Sequence, residues 1–253
     1  MASGWRVASR DELLDASGAD PYVACEVPVD GVGLVGPQGW VALRGWDDHR
    51  AGATAVLTTQ PDAAAGVELV AATHRLASEG GWRLAWFTCE DGIELPLAEP
   101  WQAGGNWVWM STTQLADDDA QWPLVELDDD ADAEELRAFA LPINPLWEGD
   151  PGQGRNRYWL GARDETGRLI GCGTVHDTAT GVGHLAGLVV DPAVRGRGLG
   201  RAITRALSVR VLASDGITTL SAYADNDTAI AVYRRVGYRL DHRFRSRFLE
   251  PRR

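Results

Sequence analysis

The chain has 253 residues, 45% of them apolar and 24% charged, and a formal charge of −12. That length and mix suit one large folded domain or two of about 100–150 residues, and they exclude a disordered chain. All 24 basic residues are arginine, so the lysine of a Walker A loop, a pyridoxal enzyme or a protein kinase is absent.

Other classes fall away as quickly. No apolar run approaches the roughly 20 residues of a membrane helix, and Met1–Asp20 lacks the apolar stretch of a signal peptide. No membrane partner and a cytoplasmic location are therefore expected. Cys25, Cys89 and Cys172 lie far apart, which excludes a disulfide framework and a cysteine zinc cluster. The five histidines are scattered and no H-E-x-x-H or G-x-S-x-G occurs, so no metal is expected.

Charge is unevenly spread. Residues 1–121 hold 6 Arg against 18 acids, whereas residues 122–253 hold 18 of each. The acidic, proline-containing segment Leu115–Pro123 reads as a linker, so the expected domains are 1–121 and 122–253. From Val194 onward there are 13 Arg against 5 acids, a balance of +8. That tail suits a compact polyanion, or else is a solvated arginine-rich surface; overall acidity argues against nucleic acid.

The first half reads as strands at 39–43 and 53–59, a helix over 62–79, and strands at 82–88 and 106–111. Nine of the eleven tryptophans lie at or before Trp122; they are read as core rather than as an amine cage. In the second half Pro123–Leu127 reads as a strand. Asp128–Asp130 reads as a turn and N-cap before a helix over 132–140. Tyr158–Ala162 and Leu169–Val175 form a hairpin around Asp164–Arg168. Gly183–Val190 is apolar on both faces, as a central strand is.

That strand runs into Val194-Arg-Gly-Arg-Gly-Leu-Gly200. A helix follows, with Leu199, Ile203, Leu207 and Val211 spaced four apart. Strand, glycine-rich turn and helix start make an anion site, because first-turn N–H groups lack partners and glycines let a phosphate approach. Arg195, Arg197 and Arg201 add positive charge. The spacing Gly196, Gly198, Gly200 is not the Rossmann G-x-G-x-x-G. After a strand at Thr218–Ala224 comes Asn226-Asp-Thr-Ala229-Ile-Ala-Val-Tyr233-Arg-Arg-Val-Gly237-Tyr238, a capped helix ended by glycine.

The run Leu188-Val-Val190-Asp-Pro192 followed by Arg195-Gly-Arg-Gly198-Leu-Gly200 resembles motif A, R-x-x-G-x-G, of the GCN5-related N-acetyltransferases (GNAT). The Asn226–Tyr238 run resembles their motif B. The resemblance covers residues 122–253, with its specific part at 184–238 and a final strand at 239–249. It implies the GNAT fold, a mixed α/β (α+β) architecture with a central mixed β-sheet flanked by helices. The order strand, helix, strand, strand in the first half points to a second, degenerate GNAT-like copy that shapes the acceptor pocket. Its turn, Gln60–Gly66, has no arginine, and Asp62 opposes a phosphate.

The resemblance further implies acetyl-CoA as co-substrate. Backbone groups of Leu188, Val189 and Val190 would bind the pantetheine. The diphosphate would lie on Arg195, Gly196, Arg197, Gly198, Leu199, Gly200 and Arg201. Asn226 would hold the pantetheine arm, with Ala229 in the same donor-binding set. Tyr233 stands at the family's general-acid position; the alternative is a core aromatic. His184 stands where many relatives carry a glutamate base; the alternative is a satisfied, half-buried histidine. His184 and Leu188 share a strand face unless a β-bulge intervenes. Tyr158, Tyr238 and Glu250 are poorer candidates. Trp147, Glu148 and Asp150, in the segment expected to line the acceptor groove, are the residues for an amine.

The expected function is acyl transfer from a CoA thioester to a primary amine of a small molecule, by direct attack in a ternary complex, in a monomer or homodimer. Two other readings remain open. One is a non-catalytic acyl-CoA-binding module. The other is an acetyltransferase of a protein amine that uses the first half as a docking platform.

Overall fold

Contacts in the computed structural model, which describes residues 4–45, 47–97, 102–117 and 121–249, divide the chain into two units. Unit 1 runs to Val108 and takes in Tyr223–Asp225 and the chain from Asp241. Unit 2 holds Trp109–Ala222 and Asn226–Leu240. The contact division therefore falls elsewhere than the change of charge at residue 121, and it assigns most of the last strand to unit 1.

Unit 1 contains β1 (Arg6–Ser9), α1 (Arg10–Ser17), α2 (Pro21–Glu26), β2 (Val32–Gly36), β3 (Gly39–Gly45), β4 (Arg50–Leu57), α3 (Ala63–Glu79) and β5 (Arg83–Glu90). The sequence reading missed β1, α1, α2 and β2. Their signals are local: Ser9 and Glu12 form a reciprocal capping box at the start of α1, and Pro21 follows the cap Asp20 in α2. Strands β1 to β4 pair antiparallel in succession, and β4 pairs parallel with β5 across α3. Leu69, Ala72 and Leu76 of α3 pack with Val41, Leu43, Ala53, Ala55 and Phe87.

Unit 2 contains the end of β6 (Gln102–Thr112), then β7 (Val125–Leu127), α4 (Ala133–Ala140), β8 (Asn156–Arg163), β9 (Leu169–Asp177), β10 (Gly183–Val190), α5 (Leu199–Asp215), β11 (Thr218–Tyr223), α6 (Asp227–Val236) and the start of β12 (Arg239–Phe248). Strands β7 to β10 again pair antiparallel in succession, and β10 pairs parallel with β11 across α5. The two units thus repeat one topology. As expected, β10 lies between β9 and β11, and Leu199, Ile203, Leu207 and Val211 of α5 are buried. On the other face, Leu136 of α4 packs with Trp147, Trp159, Cys172 and Val189. Trp5, Trp40, Trp109, Trp147 and Trp159 are all core residues. No disulfide joins the three cysteines, and all three are buried.

The copies differ at the parallel pair. In unit 1, β4 and β5 pair at six positions, from Arg50–Arg83 to Ala55–Cys89, with one register shift between Ala51 and Gly52. In unit 2, β10 and β11 pair at two, His184–Thr219 and Leu185–Leu220. The helix starts differ too. Asp62 Oδ1 accepts from Ala65 N at 2.8 Å and caps α3, so the carboxylate read as opposing a phosphate fills that helix start.

On β12, in unit 1, His242 is buried and ring-stacked on Phe244 at 4.9 Å. It bonds through Nδ1 to Glu90 Oε1 at 2.6 Å and through Nε2 to Asp20 Oδ1 at 3.0 Å. Burial pulls its pKa down, but the two carboxylates outweigh burial and raise it to about 9. A raised pKa stabilises the fold fully below the unfolded value of about 6.5 and loses that contribution as pH rises through 9. Urea unfolding should therefore show a lower midpoint at pH 10 than at pH 6. The difference should shrink in His242→Gln; an equal difference in both proteins contradicts the assignment.

Candidate active site

Past Leu185 the parallel pairing of β10 and β11 stops. Its β9 side carries a bulge between Ala186 and Val189. Gly187 supplies the kink with φ +62°, a conformation that side chains disfavour. A Cβ there would lie 3.1 Å from Gly149 Cα and 3.2 Å from Trp147 Nε1. Trp147 donates from Nε1 to Gly187 O at 2.9 Å, with its ring buried 5.6 Å from that of Trp159. It therefore holds the bulge and is no open cage for an amine, whereas Glu148 and Asp150 are exposed.

The bulge decides which residues share a face. A Cβ on Gly183 would meet both Val211 methyls at 2.7 Å, so Gly183 faces α5 and its neighbour His184 faces away. Leu188 Cδ2 lies 2.9 Å from where a Gly173 Cβ would stand, beside Ile203 and Leu207, so Leu188 faces α5. Val189 packs on the α4 face with Leu136 and Trp159. His184 and Leu188 lie on opposite faces.

The turn after β10 is shaped by its own side chains. Asp191 accepts from Ala193 N at 2.9 Å and pairs with Arg168 Nη1 at 2.9 Å. The Ala193 amide, opposed by burial and helped by Arg168, holds this carboxyl below the usual carboxylate range. Gly198, at φ +86°, starts α5 with no side-chain cap. A Cβ on Gly196 would meet nothing within 4 Å. The first turn of α5 thus faces an open approach with a partial positive charge. Arg195 and Arg197 are exposed beside it. Arg195 Nε donates to Val190 O at 3.1 Å, and Trp122 Nε1 donates to Arg197 O at 3.2 Å.

Asn226 caps α6 through Oδ1, which accepts from Ala229 N at 3.1 Å. Tyr233 is buried and its hydroxyl has no hydrogen-bond partner among the described residues; burial pushes its pKa up to about 12. Its ring stands edge-on to Tyr238 at 6.3 Å. The Tyr238 hydroxyl lies 2.7 Å from Ser208 Oγ and 3.2 Å from Thr218 Oγ1, so it is committed, and Tyr233 lies on the α5 face. His184 Nδ1 lies 2.9 Å from Thr219 Oγ1 on the other face. The Tyr158 hydroxyl is buried, with Arg210 over its ring at 5.2 Å. Glu250 lies outside the described residues. The structure therefore joins Leu188–Val190 and Arg195–Arg201 in one strand end and turn, and sets Tyr233 and His184 on opposite faces.

Two features of the acceptor side were not read from the sequence. Asp129 Oδ1 accepts from Trp159 Nε1 at 2.8 Å and from Asn156 Nδ2 at 2.6 Å, which ties the acidic run to β8. His176 on β9 stands in register with His184. The only sequence signal for His176 was a histidine near the end of a strand.

The model of the acetyltransferase (GNAT) family matches residues 99–238, more than half of the chain, and the chain belongs to that family. It is 31% identical over 152 residues to a mycothiol acetyltransferase of Streptomyces avermitilis, covering 58% of this chain and 43% of the relative. It is 36% identical over 128 residues to a mycothiol acetyltransferase of Mycolicibacterium vanbaalenii, covering 42% of each. The chain thus spans less than half the length of these relatives. Among solved structures it resembles a GCN5-related N-acetyltransferase of Kribbella flavida, with TM-score 0.51, 15% identity and coverage of 94% of this chain and 95% of that one. A GCN5-related N-acetyltransferase of Sphaerobacter thermophilus gives 0.51, 16%, 99% and 98%. At such identity the likeness shows the fold.

Trp147→Phe keeps most of the ring volume but leaves the Gly187 carbonyl only the weak Cys172 thiol, 3.9 Å away, as a donor. Urea denaturation should show a loss of about 1 kcal/mol. An unchanged midpoint would mean that the bulge stands without this bond.

Proposed function

We propose that the chain is an acetyl-CoA-dependent N-acetyltransferase that acylates a primary amine of a small molecule by direct attack in a ternary complex. The observation that carries this reading is the opened β10–β11 seam leading into an uncapped helix start. The unpaired edge of Leu188, Val189 and Val190 offers backbone groups to an extended pantetheine, as an added strand would find. The amides from Arg195 to Arg201 offer N–H groups to a diphosphate, with Arg195, Arg197 and Arg201 supplying charge. Asn226 keeps its amide N–H groups for the pantetheine arm, beside Ala229.

The thioester supplies an activated acyl carbon when bound. An amide of the Val189–Val190 strand end polarises the carbonyl. His184, with Nδ1–H on Thr219, offers Nε2 as proton acceptor at neutral pH. The amine nitrogen bonds to the acyl carbon, the C–S bond breaks, and the Tyr233 hydroxyl donates to the leaving sulfur. A phenol held near 12 stays protonated at neutral pH, as a donor must. Placing His184 and Tyr233 on opposite faces lets one take a proton on the nucleophile's side while the other gives one on the leaving group's side.

The relatives named mycothiol acetyltransferases support a small-molecule acceptor. The closed β4–β5 pair and the Asp62 cap support a single donor site, in unit 2. The acidic first half favours cationic acceptors.

The test is CoA release from acetyl-CoA with a panel of primary amines. Steady turnover with at least one amine is expected, and no turnover with any contradicts the reading. Tyr233→Phe should lower kcat by about 100-fold or more while leaving acetyl-CoA affinity unchanged. Gly198→Ala should weaken acetyl-CoA binding about tenfold, because a left-handed conformation costs a side-chain-bearing residue about 1–2 kcal/mol; unchanged calorimetric affinity contradicts the glycine's role.

A further inference from the structure

The face of unit 2 opposite α5 carries a second imidazole. His176 of β9 pairs in register with His184 of β10, which pairs with Thr219 of β11. Side chains paired directly across antiparallel strands stand on one face, with Cβ atoms about 4.5–5.5 Å apart. Burial and Arg155 pull the His176 pKa down, while the Gly149 backbone and the carboxylates of Asp150 and Asp129 pull it up. The His176 Nε2 is buried and has no hydrogen-bond partner among the described residues. A backbone group that raises an imidazole pKa is a carbonyl facing a ring N–H, and with Nε2 unpartnered we assign that N–H to Nδ1, which leaves Nε2 a lone pair. Burial, opposed by the Gly149 bond and Asp150, holds His176 below its ordinary pKa, so that lone pair persists at neutral pH. A buried acceptor with no donor leaves a hydrogen bond unmade, and such groups call for a partner.

That partner has a definite chemistry. The ring belongs to the residue directly opposite the proposed base across the β9–β10 ladder, one position before the last β10–β11 pair at Leu185. A primary amine attacking a thioester uses its nitrogen lone pair and keeps two N–H bonds. We propose that His176 Nε2 accepts one N–H of the acceptor amine while His184 accepts the other, so that the histidine pair selects primary over secondary amines. The inference rests on the acetyltransferase reading and deepens it. His176 receives a hydrogen bond and no proton; the proton lost on C–N bond formation goes to His184. A secondary amine has one N–H and would leave one buried imidazole unpaired, which sites of this kind penalise.

The test compares kcat/KM for the best primary amine of the panel with that for its N-methyl analogue. The wild-type protein should favour the primary amine by about 100-fold or more. His176→Phe removes the acceptor atom without making room for a methyl group, and the preference should fall at least tenfold. His176→Asn, which restores an acceptor oxygen, should retain more of it. A role confined to folding would change Tm and both rates together and leave the ratio intact; an unchanged ratio in His176→Phe overturns the proposal. A larger ratio would mean steric exclusion and overturns it as well.

A second measurement decides the matter even if no amine is turned over. In 15N spectra of histidine-labelled protein, with His176 assigned through His176→Asn, Nε2 should be unprotonated at pH 7. Saturating benzylamine in the presence of CoA should move that resonance. A protonated Nε2, or no movement, overturns the proposal, whereas movement without turnover would fault only the reaction.

Discussion

Everything at the proposed site depends on β10 leaving β11 after two paired positions. Paired parallel strands satisfy each other's N–H and C=O groups. Where they part, those groups need another partner, and an extended chain of amides meets that need. The parting is built by one left-handed glycine, Gly187, whose carbonyl is held by the Trp147 indole at 2.9 Å. That bulge also turns Leu188 and Val190 toward α5 and leaves His184 on the opposite face. A single extra residue therefore sets both the strand edge proposed for the donor and the separation of Tyr233 from His184.

The two units differ at few places along one shared topology. Both follow the same succession of antiparallel pairs, a crossover helix and a parallel pair. In unit 1 the parallel strands stay paired at six positions across one register shift, and Asp62 supplies the helix start with its own carboxylate. In unit 2 the equivalent helix starts at Gly198, which has no side chain to offer. An internal anion and an external one compete for the same amides, so the cap residue decides whether a helix start is closed or receptive. Membership of the acetyltransferase (GNAT) family agrees with a receptive start in unit 2.

Much of this was legible in the sequence because it rests on local signals. The glycine turn, the Asn226 cap and the four-residue apolar spacing of α5 each belong to one short segment, and each stands in the structure as read. Short elements without periodicity, β1 to β2 with their two helices, were missed, although Ser9, Glu12, Asp20 and Pro21 mark the helix starts. The change of charge and the contact division fall at different places because charge reports the surface, whereas contacts follow strand pairing, which carries the chain from Asp241 into unit 1. The bulge left only an unremarkable glycine in an apolar strand. His176 was passed over because its meaning lies in register: it matters through the partner across the ladder and through an unfilled lone pair. Trp147 looked like an amine-binding residue because a sequence shows an aromatic but not whether its indole N–H is already committed.

The most direct test is a calorimetric titration of the protein with acetyl-CoA. The account predicts one site per chain at micromolar affinity, about −8 kcal/mol. Two sites would mean that the capped, fully paired copy also binds. No binding would contradict the central claim that the opened seam and the uncapped helix start receive an acyl-CoA donor.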